Sequence, residues 1–238
     1  MKKAFCIIAI LVLSAILAIS TYMFTTEYIQ DQEQMKEFES IAIAIETSEN
    51  NSTGKYTELY EQNKDFIGWI KIDDTEIDYP VMQSIDNPNY YLTHNFNKEY
   101  SRFGVPYIQE SCTLFSDNII IYGHNMKNSS MFNGLTKYES KDFYNSHKYI
   151  LFDTLDEEMT YEIIAVFKTV AYTEKGFKYY AFVEANSEND FIDYIEQCKS
   201  LSLYDINETA EYGDKLITLS TCEYSRNNGR MVIVAKKI

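Results

Sequence analysis

The sequence predicts a mostly β domain of barrel or sandwich type, with peripheral helices and a membrane-length apolar segment ahead of it. Three observations carry that expectation. From Phe66 onward, short β-branched and aromatic runs follow one another, separated by turn residues. In that region the one long run with helical periodicity is Asn189–Ser200, with Phe191, Ile192 and Ile195 on one face. Ahead of both, Ala4 to Phe24 carries no charge and is dominated by Ile, Leu and Ala.

Taken in order, Lys2 and Lys3 form a basic start before the apolar run. At 1.5 Å per residue that run spans roughly 30 Å, about the thickness of a bilayer core. The lysines keep the N-terminus cytoplasmic and the remainder outside. A cleaved signal peptide is the competing reading, but the run is long for one, and its small-x-small candidate, Ala18-Ile19-Ser20, lies within it. The next stretch, 27–63, is acidic and helix-prone. Met35, Phe38, Ile41 and Ile45 form an amphipathic stripe, 49–54 breaks it, and Tyr56–Asn63 reads as a second short helix. The expected division is an anchor over 1–26, a helical stalk over 27–55 and a β domain over 56–238.

Strand candidates then follow at Phe66–Ile72, Ile77–Met82, Gly104–Gln109, Asn118–Tyr122, Tyr149–Thr154, Met159–Thr169 and Tyr180–Val183. Ser129–Tyr138 and Lys141–Tyr144 read as short helices. The chain closes on two β runs, Leu216–Thr221 and Met231–Ala235, around a polar bend whose Asn227-Asn228-Gly229 tolerates positive φ.

With 238 residues and 45% apolar content, the chain has material for one core plus an extension. A net charge of −15 argues against nucleic acid as a partner, since phosphate binding needs clustered Lys and Arg. Four cysteines without a C-x-x-C pair argue against a disulfide scaffold. Cys6 lies in the apolar run, so the remaining three are odd in number and at least one thiol is free or pairs between chains.

Among the three histidines, His94 sits among aromatics and His147 in a polar loop, which suits structural or solvated roles. His124 differs: it follows a strand and a glycine, where a side chain projects into a site. No metal-ligand spacing and no Gly-rich phosphate loop occur, so neither metal nor cofactor is expected. Ser220 lacks the context of a serine nucleophile. That leaves Cys222, His124 and Arg230. Paired antiparallel, the last two strands bring the Cys222 thiol and the Arg230 guanidinium to one sheet end. A thiol, an imidazole and a fixed cation suit acyl transfer. A hairpin with an inert Cys and a surface Arg is the alternative on spacing alone.

Several stretches together resemble a sortase, most of all the class B branch: Tyr122-Gly123-His124-Asn125-Met126, Met131-Phe132-Asn133-Gly134-Leu135, Leu219-Ser220-Thr221-Cys222 and Asn228-Gly229-Arg230-Met231-Val232. Asp65–Ile70 and Tyr91-Leu92 with Asn95-Phe96 add to the likeness, which spans Tyr56 to the C-terminus. The resemblance implies an eight-stranded β-barrel with two N-terminal helices and one helix before the Cys-bearing strand. It implies Cys222 as nucleophile, His124 as general acid/base and Arg230 as oxyanion stabiliser, with Arg226 as a rival. Its substrate groove maps onto Tyr122, Leu92, Ser220, Glu223 and Tyr180, and onto Asn87 or Asn89.

The implied reaction cleaves a surface protein's C-terminal sorting motif, Asn-Pro-x-Thr-Asn or (Ser/Asn/Pro)-Pro-x-Thr-Gly, after Thr. The thioester then passes to a peptidoglycan amine, of a cross-bridge or stem peptide. Pilin-linking relatives carry an Asp-Pro-aromatic lid, and no such tripeptide occurs here. A Cys-dependent hydrolase and a non-catalytic extracellular binding module are the other readings.

Overall fold

The computed structural model describes residues 2–48, 54, 56–173 and 176–238. They form two compact units, Met1–Ala44 and Ile45–Ile238. Helix α1 runs without interruption over Lys2–Ser48. The expected anchor and the stalk as far as Ser48 are thus one continuous helix, consistent with a stretch that contains neither Pro nor Gly. Its hydroxyls turn back onto the helix: Thr21 Oγ1 donates to the Leu17 carbonyl at 2.9 Å and Ser14 Oγ to the Leu11 carbonyl at 2.9 Å. Such bonds satisfy polar groups that an apolar surround would otherwise leave unpaired. Among the described residues it is the one helix long and apolar enough to cross a membrane. The expected break at 49–53 lies outside the described residues.

The second unit is a closed eight-stranded barrel in the order β1-β2-β3-β4-β7-β8-β6-β5. The strands are β1 (Phe66–Lys71), β2 (Asp78–Met82), β3 (Tyr107–Ile108), β4 (Asn118–Tyr122), β5 (Tyr149–Thr154), β6 (Glu158–Val170), β7 (Leu216–Glu223) and β8 (Gly229–Lys237). Closure leaves no sheet edge to template aggregation. Two neighbouring pairs run parallel, β2 with β3 and β4 with β7; the rest run antiparallel. Helix α2 (Thr57–Gln62) precedes β1, and the Tyr56 hydroxyl donates to Asp153 on β5 at 2.8 Å. A 3-10 turn (Phe132–Glu139) and helix α3 (Lys141–Ser146) link β4 to β5.

β5 alternates buried positions with half-buried or exposed ones, as a strand with one core face should. β7 is buried on all but one residue, and β6 along its middle, Ile163 to Phe167, because both faces are covered there. Helix α4 (Glu188–Leu201) supplies that cover for β6 and its neighbours. Ser187 caps its N-terminus by accepting from the Asp190 N–H, and Glu188 and Asp190 suit the positive end of the dipole. Phe191, Tyr194, Ile195 and Cys198 bury against Ile164, Phe167 and Val234. At the other end Lys199 Nζ donates to the Ile206 carbonyl at 2.5 Å and the Glu208 carbonyl at 2.7 Å.

Two expected strands differ. Gly104–Gln109 shrinks to Tyr107–Ile108, because Pro106 has no N–H to give a ladder. Gly104, at φ +56°, sits against the carbonyls of Tyr91 and Leu92, a position no side chain fits. Tyr180–Val183 is not a strand; Tyr180 and Ala181 belong to a 3-10 turn, Tyr179–Ala181. Its backbone is tied to β4 by one residue instead of a ladder. The Asn118 N–H donates to the Val183 carbonyl at 3.0 Å, and Asn118 Nδ2 donates to the Phe182 carbonyl at 2.9 Å.

Asn118 is fully buried and also accepts from Thr218 Oγ1 at 2.8 Å. Asn118→Leu strands these partners without water. It is expected to cost about 2–3 kcal/mol, read in urea as a lower midpoint with an unchanged slope.

Candidate active site

The strand register builds the site. Tyr122 at the end of β4 is the parallel partner of Ser220 on β7. His124, two residues past Tyr122, and Cys222, two residues past Ser220, therefore leave the barrel at the same end. On the other side of β7, Cys222 pairs directly with Arg230 on β8. All three line one cleft of about 500 Å³. Cys222 is half-buried and free of any disulfide.

The segment after β4 is stitched to the end of β7. The Gly123 N–H donates to the Ser220 carbonyl at 3.1 Å, and Thr221 Oγ1 donates to the Gly123 carbonyl at 2.7 Å. Asn125 Nδ2 donates to the Cys222 carbonyl at 2.8 Å, while its Oδ1 accepts from Asn133 Nδ2 at 2.6 Å. The residue after the imidazole thus holds the backbone of the thiol. Spacing alone assigns Asn125 no such task, because its partner lies far away in sequence. His124 Nε2 lies 2.8 Å from the Leu92 carbonyl. A carbonyl only accepts, so Nε2 carries the proton and Nδ1 is the nitrogen left to take or give one.

The groove residues fall on two sides of this picture. Tyr122, Leu92, Ser220 and Tyr180 line the cleft. The Tyr122 hydroxyl donates to Gln109 Oε1 at 2.7 Å, and Gln109 Nε2 donates to the Tyr180 carbonyl at 3.2 Å. Gln109, unassigned on sequence grounds, thereby ties the Tyr179–Ala181 turn to the β3–β4 wall. The Ser220 hydroxyl lies 2.6 Å from the Tyr179 hydroxyl, which burial pushes up to about 12 and so keeps protonated. Asn89, not Asn87, lines the cleft, with its Oδ1 accepting from the Tyr107 hydroxyl at 2.8 Å.

Glu223 stands apart from these four. It is not among the residues lining the cleft. Its carboxylate accepts from the Ser225 N–H at 2.9 Å and the Ser225 hydroxyl at 2.7 Å, with Lys168 Nζ at 3.6 Å. Burial raises its pKa, but these donors outweigh burial and hold it below the usual carboxylate value of 4.5. Arg226 is likewise absent from the lining; it is exposed in the turn after β7.

The other histidines serve local structure. His94 stacks on Tyr90 with its Nδ1 2.8 Å from the Tyr90 carbonyl. His147 is not a free loop residue; it ends α3, stacks on Phe143 and places Nδ1 2.8 Å from the Phe143 carbonyl.

A family model described as the sortase domain matches residues 70–238. The chain belongs to the sortase family. Sortase B of Listeria monocytogenes is 40% identical over 185 residues, covering 76% of this chain and 73% of the relative. A Staphylococcus aureus sortase B–substrate complex superposes with TM-score 0.80 at 28% identity, covering 88% of this chain and 98% of the other. A sortase B structure complexed with triglycine gives TM-score 0.79 at 28% identity, over 87% and 98%. The barrel is the one these sortases share, and the chain is a cysteine transpeptidase.

Two outcomes test this geometry. A Cβ on Gly123 would lie 2.6 Å from the Phe132 ring, which is fully buried and cannot retreat. Gly123→Ala should cost roughly 1–3 kcal/mol in thermal unfolding and lower transpeptidation further by displacing His124. Glu223→Gln removes a carboxylate whose folded pKa is depressed. Its stabilising part is fully present above the unfolded value and is lost as pH falls through the lower folded value. The stability gap between the native chain and Glu223→Gln should therefore be constant above about pH 5.5 and narrow on acidification below it. A gap that widens there would contradict the assignment.

Proposed function

We propose that Cys222 is the nucleophile, His124 the general acid and base, and Arg230 the oxyanion stabiliser of a sorting reaction. The observation that carries this reading is the register that brings the ends of β4, β7 and β8 to one cleft. The Cys222 thiolate attacks the carbonyl carbon of the motif Thr, forming the C–S bond. The tetrahedral oxyanion draws on the Arg230 guanidinium, which is always charged. The oxyanion collapses, the bond to the next residue breaks, and the His124 imidazolium protonates the departing amine. The acceptor amine then attacks the thioester, His124 takes its proton, and Cys222 leaves as thiolate, which restores the starting state.

The substrate is a surface protein with a C-terminal sorting motif of the Asn-Pro-x-Thr-Asn or (Ser/Asn/Pro)-Pro-x-Thr-Gly kind, and the acceptor is a peptidoglycan amine. Support comes from the relatives' complexes with a substrate and with triglycine, and from a cleft lined by tyrosines. Tyr122, Leu92, Ser220 and Tyr180 are the residues proposed to hold the motif. The division is an anchor over 1–26, a stalk over 27–55 and a catalytic domain over 56–238, with Lys2 and Lys3 cytoplasmic and the barrel outside. The length and apolarity of the N-terminal helix support that placement.

The test is a panel of sorting peptides given to the full chain in detergent, with mass spectrometry of the acyl-enzyme. Motif peptides should yield a thioester on Cys222 that an added amine resolves to a new amide. Cys222→Ala should form none while melting normally, and His124→Ala should be nearly as inactive. Arg230→Lys should lose roughly a hundredfold in kcat, because an ammonium does not reproduce the planar fork. A fully active Cys222→Ala chain would end the proposal.

A further inference from the structure

The chain leaving β6 carries a tyrosine in a backbone conformation that bulky residues avoid. Val170 pairs with Gly229, and Thr169 pairs with Arg230. The Ala171 N–H then donates to the Asn228 carbonyl at 2.9 Å, which fixes the exit direction. Tyr172 follows at φ +57°, in the left-handed region. Such a residue persists where its surroundings over-determine it, often beside a functional site. Burial does not account for it, since Tyr172 is 76% exposed. What the conformation secures is a contact with Arg230: the guanidinium carbon lies 5.7 Å from the centre of the Tyr172 ring. The Tyr180 ring lies 6.0 Å from the same ring, and all three residues line the cleft.

Arg230 needs such a partner. Nη1 donates to the carbonyl of its own neighbour, Gly229, at 2.9 Å. One short-range bond of this kind leaves the guanidinium plane free to turn. An aromatic face attracts the cation and restricts its plane, which a hydrogen bond to an adjacent residue does not.

We propose that Tyr172 is a positioning residue for Arg230: its ring face holds the guanidinium at the thiol end of the cleft, oriented toward the developing oxyanion. The proposal rests on the role given above to Arg230. It adds a specific task for the segment between β6 and α4, which spacing along the sequence does not single out.

The test compares Tyr172→Leu, Tyr172→Phe, Tyr172→Asn, Arg230→Ala and the Tyr172→Leu/Arg230→Ala pair. Each is made in the full chain in detergent and assayed for kcat and KM with the panel peptide that the unmodified chain cleaves fastest. Acyl-enzyme formation serves as the readout for the slow variants. Tyr172→Leu keeps apolar bulk without a π face and should lower kcat about five- to tenfold with KM nearly unchanged. Tyr172→Phe keeps the face and should recover to within about twofold. Asn suits a left-handed backbone, so Tyr172→Asn should hold or raise the melting temperature while kcat falls as for Leu, which separates positioning from folding. In the Arg230→Ala chain, Tyr172→Leu should have no further effect.

Unchanged kcat in Tyr172→Leu overturns the proposal, as does a Phe variant as slow as Leu. A further loss in the Arg230→Ala background also overturns it, because the ring then acts on the peptide itself. Full activity in Arg230→Ala alone removes the role of Arg230 and the proposal with it. Loss in Arg230→Ala beside a fully active Tyr172→Leu removes only the proposal.

Discussion

The pairing of β7 on both its edges is the constraint on which the site depends. On one edge it runs parallel to β4, and on the other antiparallel to β8. A parallel neighbour aligns strand ends that are far apart in sequence, while an antiparallel neighbour aligns ends joined by a short turn. β7 does both, so residues from three strands arrive at one rim. A register slip of one residue on either edge would turn Cys222 into the barrel wall and bring Glu223 toward the cleft. The buried bond from Thr218 Oγ1 to Asn118 Oδ1 across β7 and β4 resists such a slip, because a slip would leave both groups unpaired away from water.

Register alone fixes strands, not the segments between them. Those are held by polar side chains that reach across the fold. Asn118 secures the segment before α4, Asn125 joins the backbones around His124 and Cys222, and Gln109 links Tyr122 to the Tyr179–Ala181 turn. Each sits where backbone groups lack a ladder partner, and each meets more than one neighbouring group. Such groups are costly when left dry, so these side chains stabilise less by the bonds they add than by the unpaired groups they prevent. The rim thereby becomes rigid at the places where a reacting carbonyl must be met within a fraction of an ångström.

What was legible in the sequence follows the same division. Strands with β-branched runs, the helical period of α4 and the Asn-Asn-Gly bend depend on local chemistry, and those elements read correctly from it. His124 stood out because a strand and a glycine precede it. The segment around Tyr180 looked like a strand by composition, yet its partners are a side chain of β4 and a barrel wall, which no local pattern records. Glu223 enters the groove only through the family resemblance, and the local pattern does not record that its carboxylate bonds to Ser225 in the following turn. Gln109, Asn125 and Tyr172 were invisible in their tasks because each acts on a residue distant in sequence.

The barrel unit holds three cysteines, and the fold encloses them to different degrees. Cys112 and Cys198 are buried, and burial pushes their thiols up to about 11 and about 12. At neutral pH both stay protonated, so neither competes as a nucleophile or oxidises readily. Cys222 ends the same kind of apolar run, but it sits one residue before the end of β7, opposite a guanidinium instead of a hydrophobic wall. The residue type is identical in all three. What differs is whether the fold closes over the sulfur or leaves it at a rim where a cation, an imidazole and an open cleft meet.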